Sequence, residues 1–215
     1  LRGLSIAQHD GKVMLADAEV RIKPGEKVLV KGDSGTGKST LIRAMAGLWP
    51  WGSGQILRPR DARIAFMPQR PYIHLGTLRQ APDYPHDATP IEPGRTEAML
   101  RACGLDHFIA RLDEEENWSG IMSGGEQQRL AIARALINDP LLVLADEPTG
   151  NLDRKHGREA LALIREVCRE HGAALLLVSH DEEVLGQFET RRDFAAINEA
   201  GRSAGSPRPA APGSR

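Results

Sequence analysis

The chain has 215 residues, enough to bury a core without disulfide or metal staples and suited to one domain, or one domain with a subdomain. With 28 basic against 29 acidic side chains, the formal charge of −1 gives no support to general nucleic-acid binding through phosphate contacts. The longest apolar runs, at residues 141–145 and 173–178, fall far short of the roughly 20 residues needed to cross a bilayer, so this stretch is expected to be soluble.

In chain order, Leu4-Ser5-Ile6 and Val13-Met14-Leu15 flank His9-Asp10-Gly11-Lys12, and an Asp-Gly between apolar runs signals a hairpin. No signal-peptide pattern precedes it, and Leu1 rather than Met comes first, so a segment of a longer protein is expected. Residues 26–31 read as a strand entering Gly32-Asp33-Ser34-Gly35-Thr36-Gly37-Lys38-Ser39-Thr40, which has the G-x-x-x-x-G-K-[ST] spacing of a phosphate-binding loop. Its glycines let successive N–H groups turn toward an anion, and the helix starting near Ser39 adds the positive end of its dipole. Lys38 reaches the terminal phosphates and the Ser39 hydroxyl can ligate magnesium. Leu41, Ile42 and Met45 continue as a helical apolar stripe.

After a break at 47–52, Gly54-Gln55-Ile56-Leu57 reads as a second hairpin-like piece, and 64–67 as a strand that Pro68 stops just before Gln69. The proline-rich stretch from Pro71 to about Pro93 reads as loop, with a short turn at 77–80. Ala98, Leu100, Arg101 and Leu105, then Phe108, Ile109 and Leu112, predict two short helices separated near Gly104, and the acidic run Asp113-Glu114-Glu115-Glu116 reads as a solvated linker. Beyond Ser123 the pattern alternates: helix over 126–137, apolar strand over 141–145, amphipathic helix over 154–171, apolar strand over 173–178. That alternation predicts a parallel sheet with crossover helices. Cys103 and Cys168 read as buried thiols, and 201–215, rich in Gly, Pro, Ser, Ala and Arg, as a disordered tail.

The strand at 141–145 ends in Asp146-Glu147, which puts two carboxylates at the carboxyl edge of a parallel sheet, where such folds bind ligands. Asp146 would hold the magnesium indirectly, and Glu147 would polarise an attacking water. His180, directly after the next strand, reaches the same edge, while Gln69, at the end of the 64–67 strand, could donate to water or complete the metal shell. Met122-Ser123-Gly124-Gly125-Glu126-Gln127 opens a helix with a hydroxyl and two glycines, the ingredients of a second anion site.

Over nearly its whole length, from about Leu4 to Asn198, the chain resembles the nucleotide-binding domain of ATP-binding cassette (ABC) proteins. The motifs come in the expected order: Walker A at 32–40, the Q-loop at Gln69, the Ser123–Gln127 signature, Walker B with Asp146 and Glu147, a D-loop at Gly150-Asn151-Leu152-Asp153, and the switch histidine His180. The resemblance implies an α/β P-loop NTPase over 1–200, with a parallel core sheet, an N-terminal antiparallel β subdomain and an inserted helical subdomain at about 94–138. It implies ATP and Mg2+ as cofactors, with Gly32 to Thr40 and, across a head-to-tail pair, Ser123, Gly124, Gly125 and Glu126 on the nucleotide. Ser39, Gln69 and Asp146 would hold the metal, and Glu147, His180 and Gln69 would be catalytic. It implies a transmembrane permease, fused or separate, and a place on the cytoplasmic face of a membrane, the inner one if bacterial.

Family members stack an aromatic side chain on adenine from the first hairpin; the corresponding positions here are Gln8 or His9, neither of them Tyr or Phe, and Met122 stands where Leu is usual. Ala46–Pro50 and Met67–Tyr72 resemble peroxisomal fatty-acyl and bacterial peptide-uptake half-transporters, whereas Ala145–Asp153 resembles the separate ATPase subunits of lipoprotein-releasing exporters. Two other functions stay open: a non-transport ABC ATPase of DNA repair, chromosome organisation or translation, and a cassette that binds ATP without turning it over, against which Glu147 and His180 argue. Tyr72, Ile73 and Leu75, beside the Q-loop, are expected to form the surface on which the permease docks.

Overall fold

A computed structural model describes residues 1–60, 62–73, 75–79 and 91–198. Its first part contains β1 (Arg2–Ala7), β2 (Val13–Ala18), β3 (Lys27–Lys31), α1 (Lys38–Met45), β4 (Gly52–Gln55), β5 (Ile64–Met67) and the two-residue β6 (Gly76–Thr77). Then follow α2 (Arg95–Ala102), a 3-10 helix (Asp106–Arg111), β7 (Glu115–Glu116), α3 (Trp118–Ile121) and α4 (Gly124–Leu136). The last part contains β8 (Leu142–Asp146), α5 (Arg154–Glu170), β9 (Ala174–Ser179), α6 (Glu182–Leu185), β10 (Thr190–Asp193) and α7 (Phe194–Ile197).

The central sheet has five strands in the order β10-β3-β9-β8-β5, and every neighbouring pair is parallel. Side chains alternate across a strand, so a strand buried on both faces reads as an unbroken apolar run. Val143 and Ala145 of β8 and Leu175 and Leu177 of β9 face one core together with α4 and α5. Leu144, Leu176 and Val178 face the other, together with α1 and the antiparallel sheet β2-β1-β4. The result is an α/β P-loop fold with an antiparallel N-terminal sheet, as the sequence leads one to expect.

Register fixes what the carboxyl edge presents. Lys31 of β3 lies opposite Ser179 of β9, Asp146 of β8 opposite Val178, and Met67 of β5 opposite Ala145. The four strands therefore end nearly level, and the segments after them, carrying the glycine loop, Asp146-Glu147, His180 and Gln69, emerge on one rim.

Some expectations need correction. The piece at 54–57 is not a second hairpin: β4 runs over Gly52–Gln55 and joins β1 antiparallel, because bare glycine faces let it lie close, and a Cβ on Gly52 would come within 2.3 Å of the Ser5 carbonyl. The acidic run 113–116 is solvated as expected, all four residues being exposed, but it is not a plain linker. Glu115 and Glu116 pair as β7 with β6, and the charges are matched by Arg79 to Asp113 and by Arg111 to Glu114 and Glu116. The turn expected at 77–80 is preceded by β6, and Gln80 falls outside the described residues, as does most of the proline-rich stretch and the tail at 201–215. Tyr72 and Leu75 are exposed, at 60% and 75%, whereas Ile73 is half-buried and packs against the main core. Cys103 and Cys168 are free and buried, and burial pushes both thiols up to about 12, so they stay protonated at neutral pH.

Candidate active site

The glycine loop leaves β3 and enters α1 through two left-handed turns, at Gly35 (φ 77°) and Gly37 (φ 106°), a conformation that a Cβ would strain. Asp33, Ser34, Gly35 and Thr36 lie open to solvent, while Lys38 and Thr40 are buried. The Thr36 hydroxyl donates to the Asp33 carbonyl at 2.8 Å and so braces the turn. Lys38 folds back over the loop, its Nζ donating to the Gly32 and Asp33 carbonyls at 2.8 and 2.6 Å. The hydrogen bonds of this buried ammonium run to two backbone carbonyls, which phosphate oxygens could replace, and its charge is felt at the nearby Asp146 carboxyl.

Ser39, in the first turn of α1, donates its hydroxyl to Asp146 Oδ1 at 2.7 Å. Asp146 is 3% exposed, and burial raises its carboxyl above the usual range despite the Ser39 bond and the nearby Arg43 and Lys38; Glu147 pushes the same way as burial. A buried carboxylate beside a hydroxyl, both hard oxygen donors, fits a small divalent cation such as Mg2+, which takes one or two protein oxygens and completes its shell with water and phosphate. The sign follows directly. An acid with a raised folded pKa costs folding stability at pH values above that pKa, and the cost fades as pH falls through it. Asp146→Asn, which keeps the Ser39 bond and removes the charge, is therefore expected to raise the melting temperature of the nucleotide-free domain at neutral pH. It should also abolish any further rise on adding Mg2+ with ATP. A lower melting temperature for the variant in a thermal scan without nucleotide would show that the buried charge is not the cost inferred here.

Glu147 follows in a left-handed backbone (φ 45°), one of three such non-glycine residues among those described, together with Asp17 and Asp139. Such geometry costs about 1–3 kcal/mol and persists where the surroundings enforce it. Here the Glu147 N–H donates to the Val178 carbonyl at 3.1 Å and the Gly150 N–H to the Glu147 carbonyl at 3.0 Å. The two neighbouring carboxylates take different partners: Asp146 Oδ1 accepts from Ser39, and Glu147 Oε1 accepts from His180 Nδ1 at 2.9 Å. Gln69 joins from β5: a Cβ on Gly150 would lie 3.1 Å from Gln69 Nε2 and 3.6 Å from Glu147 Oε2, and Asn151 Nδ2 donates to the Gln69 carbonyl at 2.9 Å. One cluster thus gathers Gln69, Glu147, Gly150, Asn151 and His180, and a second joins Lys38, Ser39 and Asp146.

The signature segment stands apart as the cap of α4. Ser123 and Glu126 form a reciprocal capping box, and Gly124 and Gly125 leave the helix start bare. The ring of His156, held by the D-loop residue Asp153, lies against Gly125, where a Cβ would meet its Cδ2 at 3.5 Å. Among the described residues, the side-chain hydrogen bonds of Ser123 run to Glu126 and not to the loop at 32–40.

Sequence reasoning missed the groups that back the glycine loop. Phe194 of α7 is 2% exposed, and its Cβ lies 3.1 Å from where a Gly32 Cβ would be; its ring tip and Met14 crowd Gly37 in the same way. Nothing in the charged run that precedes Phe194 marks it. His9, the candidate beside adenine, packs edge-on to Trp51 at 6.4 Å, and Trp51 in turn to Trp49 at 5.2 Å.

This fold and site define a nucleotide-binding P-loop domain, and comparison with known proteins gives the family. The model of the ABC transporter family matches residues 15–150. The chain is 38% identical over 175 residues to an ABC transporter ATP-binding protein of Synechocystis, covering 80% of this chain and 26% of that protein. It is 35% identical over 212 residues to the lipoprotein-releasing system ATP-binding protein LolD of Shewanella oneidensis, covering 88% and 90%. It is 32% identical over 192 residues to human ATP-binding cassette sub-family D member 3, covering 86% and 28%. The chain belongs to the ABC transporter family and is an ATP-binding domain of that family. It spans about a quarter of the Synechocystis protein and most of LolD, so the mixed resemblance to half-transporters and to separate ATPase subunits holds.

Proposed function

We propose that the domain is the ATP-hydrolysing motor of a membrane transporter and that it works as a head-to-tail pair, the signature of each copy closing the nucleotide on the other. The observation that carries this is the placement of Ser123: it caps α4 with its hydroxyl at the chain surface, bonded to Glu126 and, among the described residues, not to the loop at 32–40, which favours a second copy bringing the two together.

In each composite site, residues 32–40 wrap the phosphates, Lys38 exchanges its carbonyl partners for phosphate oxygens, and Ser39, Asp146 and Gln69 would hold Mg2+. That ion, when bound, neutralises charge on the terminal phosphates. Glu147 then takes the proton of the attacking water, while His180, bonded to its other face, keeps the carboxylate aimed and senses the terminal phosphate. Gln69 links this chemistry to the segment after β5. Ser123, Gly124, Gly125 and Glu126 of the second copy offer a hydroxyl and helix N-terminal amides to the same phosphate.

In this pairing, Glu147→Gln with Mg-ATP sediments as a dimer. Ser123→Arg in that background stays monomeric, because the long side chain fills the place of the second nucleotide. A dimer that survives Ser123→Arg would mean that the pairing does not use the signature.

The helical region at about 94–138, together with exposed Tyr72 and Leu75, is proposed to receive a transmembrane permease, fused or separate, on the cytoplasmic face of a membrane; among the described residues no helix is long and apolar enough to cross one. The names of the relatives favour transport over DNA repair, chromosome organisation or translation. Replacing Tyr72 and Leu75 by Ser in the assembled transporter is expected to lower cargo-stimulated hydrolysis severalfold and to leave the melting temperature of the isolated domain unchanged. A fall in that melting temperature would assign the two side chains to the core instead.

A further inference from the structure

The signature serine is not held by its own helix alone. Its hydroxyl donates to Glu126 Oε2 at 2.7 Å, its N–H donates to the same oxygen at 2.8 Å, and the return bond from the Glu126 N–H to Ser123 Oγ is long, at 3.4 Å. The orientation of the hydroxyl therefore depends on where the Glu126 carboxylate sits. That carboxylate has a second partner outside the motif: His107 Nε2 donates to Oε1 at 2.9 Å.

His107 belongs to the 3-10 helix after α2, and its ring lies over Phe108 with centroids 4.2 Å apart; Phe108 is 6% exposed and packs edge-on against the buried Trp118 at 5.8 Å. The His107 side chain is itself 57% exposed, so its ring rests at the edge of that core and reaches out to the signature. The Arg129 guanidinium of α4 reaches across to Gly104, two residues before the 3-10 helix, where a Cβ would come within 2.7 Å of its Nη1.

Two consequences follow for an anion brought to Ser123 from outside. A phosphate oxygen accepting from Ser123 Oγ would stand one hydrogen bond beyond a carboxylate, and like charges at that range repel. A donor on Oε1 draws the carboxylate's charge away from the Oε2 side and keeps its rotamer from swinging onto the bare N–H groups at the start of α4, where it would occupy the anion's place.

We propose that His107 is a positioning residue for the nucleotide carried by a second copy of this chain: acting through Glu126, it orients the Ser123 hydroxyl and keeps the carboxylate off the helix N-terminus. This rests on the head-to-tail pairing proposed above. It links the 3-10 helix to the signature through Glu126, by one side chain that lies outside every motif.

The test uses the Glu147→Gln domain, in which the ATP-bound dimer accumulates, and follows dimerisation with Mg-ATP by sedimentation as a function of protein concentration. His107→Ala is expected to raise the half-dimerisation concentration by about tenfold, the equivalent of ~1.4 kcal/mol, while the affinity of the single domain for a fluorescent ATP analogue stays unchanged. His107→Gln, whose amide N–H can reach Oε1, is expected to recover all but about threefold of the parent's value. In a Glu126→Gln background, His107→Ala should be silent, because the group it acts through has lost its charge. Parental dimerisation in His107→Ala would overturn the proposal, and so would a His107→Gln variant as defective as His107→Ala, since packing on Phe108 rather than the donor would then matter. A parent that binds ATP yet stays monomeric would overturn the head-to-tail pairing itself, a result distinct from an equal dimer with and without the histidine.

Discussion

Glu147→Gln is expected to bind Mg-ATP as the parent does and to release phosphate about 10²–10⁴-fold more slowly, the usual contribution of a positioned general base. The substitution keeps the shape of the side chain and an oxygen able to face His180 Nδ1, so the left-handed turn and its bonds to Val178 and Gly150 stand. What is lost is the ability to take a proton from water. Asp146 differs in its surroundings, its carboxylate being buried and bonded to the Ser39 hydroxyl. Single-turnover phosphate release distinguishes the assignments. A rate within tenfold of the parent would remove Glu147 from the role of base, and His180 would have to be replaced next.

Lys38→Ala is expected to lose nucleotide binding altogether, with an affinity at least about 10²-fold lower, since hydrogen bonds involving a charged partner contribute roughly 1.5–3 kcal/mol each. The loss has two sources. Lys38 Nζ now ties the Gly32 and Asp33 carbonyls together across the loop, so its removal leaves these acceptors facing one another without a cation. With nucleotide bound, the same ammonium would answer the charge of the terminal phosphates. Titration with a fluorescent ATP analogue measures both at once, and an unaltered affinity would place the nucleotide elsewhere.

The legible part of the fold is the part where one physical signal dominates. β3, β8 and β9 are buried on both faces, so they stand out as apolar runs, and the parallel sheet follows from the helices between them. The glycine loop is legible because its backbone must curl, and only glycine meets φ 77° and 106° without strain. β10 is an edge strand with the sequence Thr-Arg-Arg-Asp and mostly exposed side chains, and its place is set by pairing with β3 rather than by composition. Phe194 inherits that illegibility, although it backs Gly32 and Gly37, because a lone aromatic after a charged run carries no period.

The acidic run 113–116 misleads for a different reason. Charge density rightly suggests solvent, but the β7 pairing and the ion pairs with Arg79 and Arg111 are set by the fold of the helical region. His107 and His156 belong to the same class, since each gains meaning only from the signature residue that the fold places against it. Within the site, the chain spacing shows which residues reach the rim, and the fold adds how they divide: Lys38, Ser39 and Asp146 in one group, Gln69, Glu147 and His180 in the other.

The central claim is that each ATP is hydrolysed between two copies of this chain, and mixing two inactive variants tests it most directly. Lys38→Ala has no usable phosphate loop but an intact Ser123, whereas Ser123→Arg has an intact loop but no usable signature. Each is expected to be inactive alone. Mixed in equal amounts with Mg-ATP, they form some pairs in which the loop of one chain faces the signature of the other, and phosphate release should rise clearly above the sum of the two separate solutions. A mixture no more active than that sum, with both variants folded, would contradict a site shared between chains.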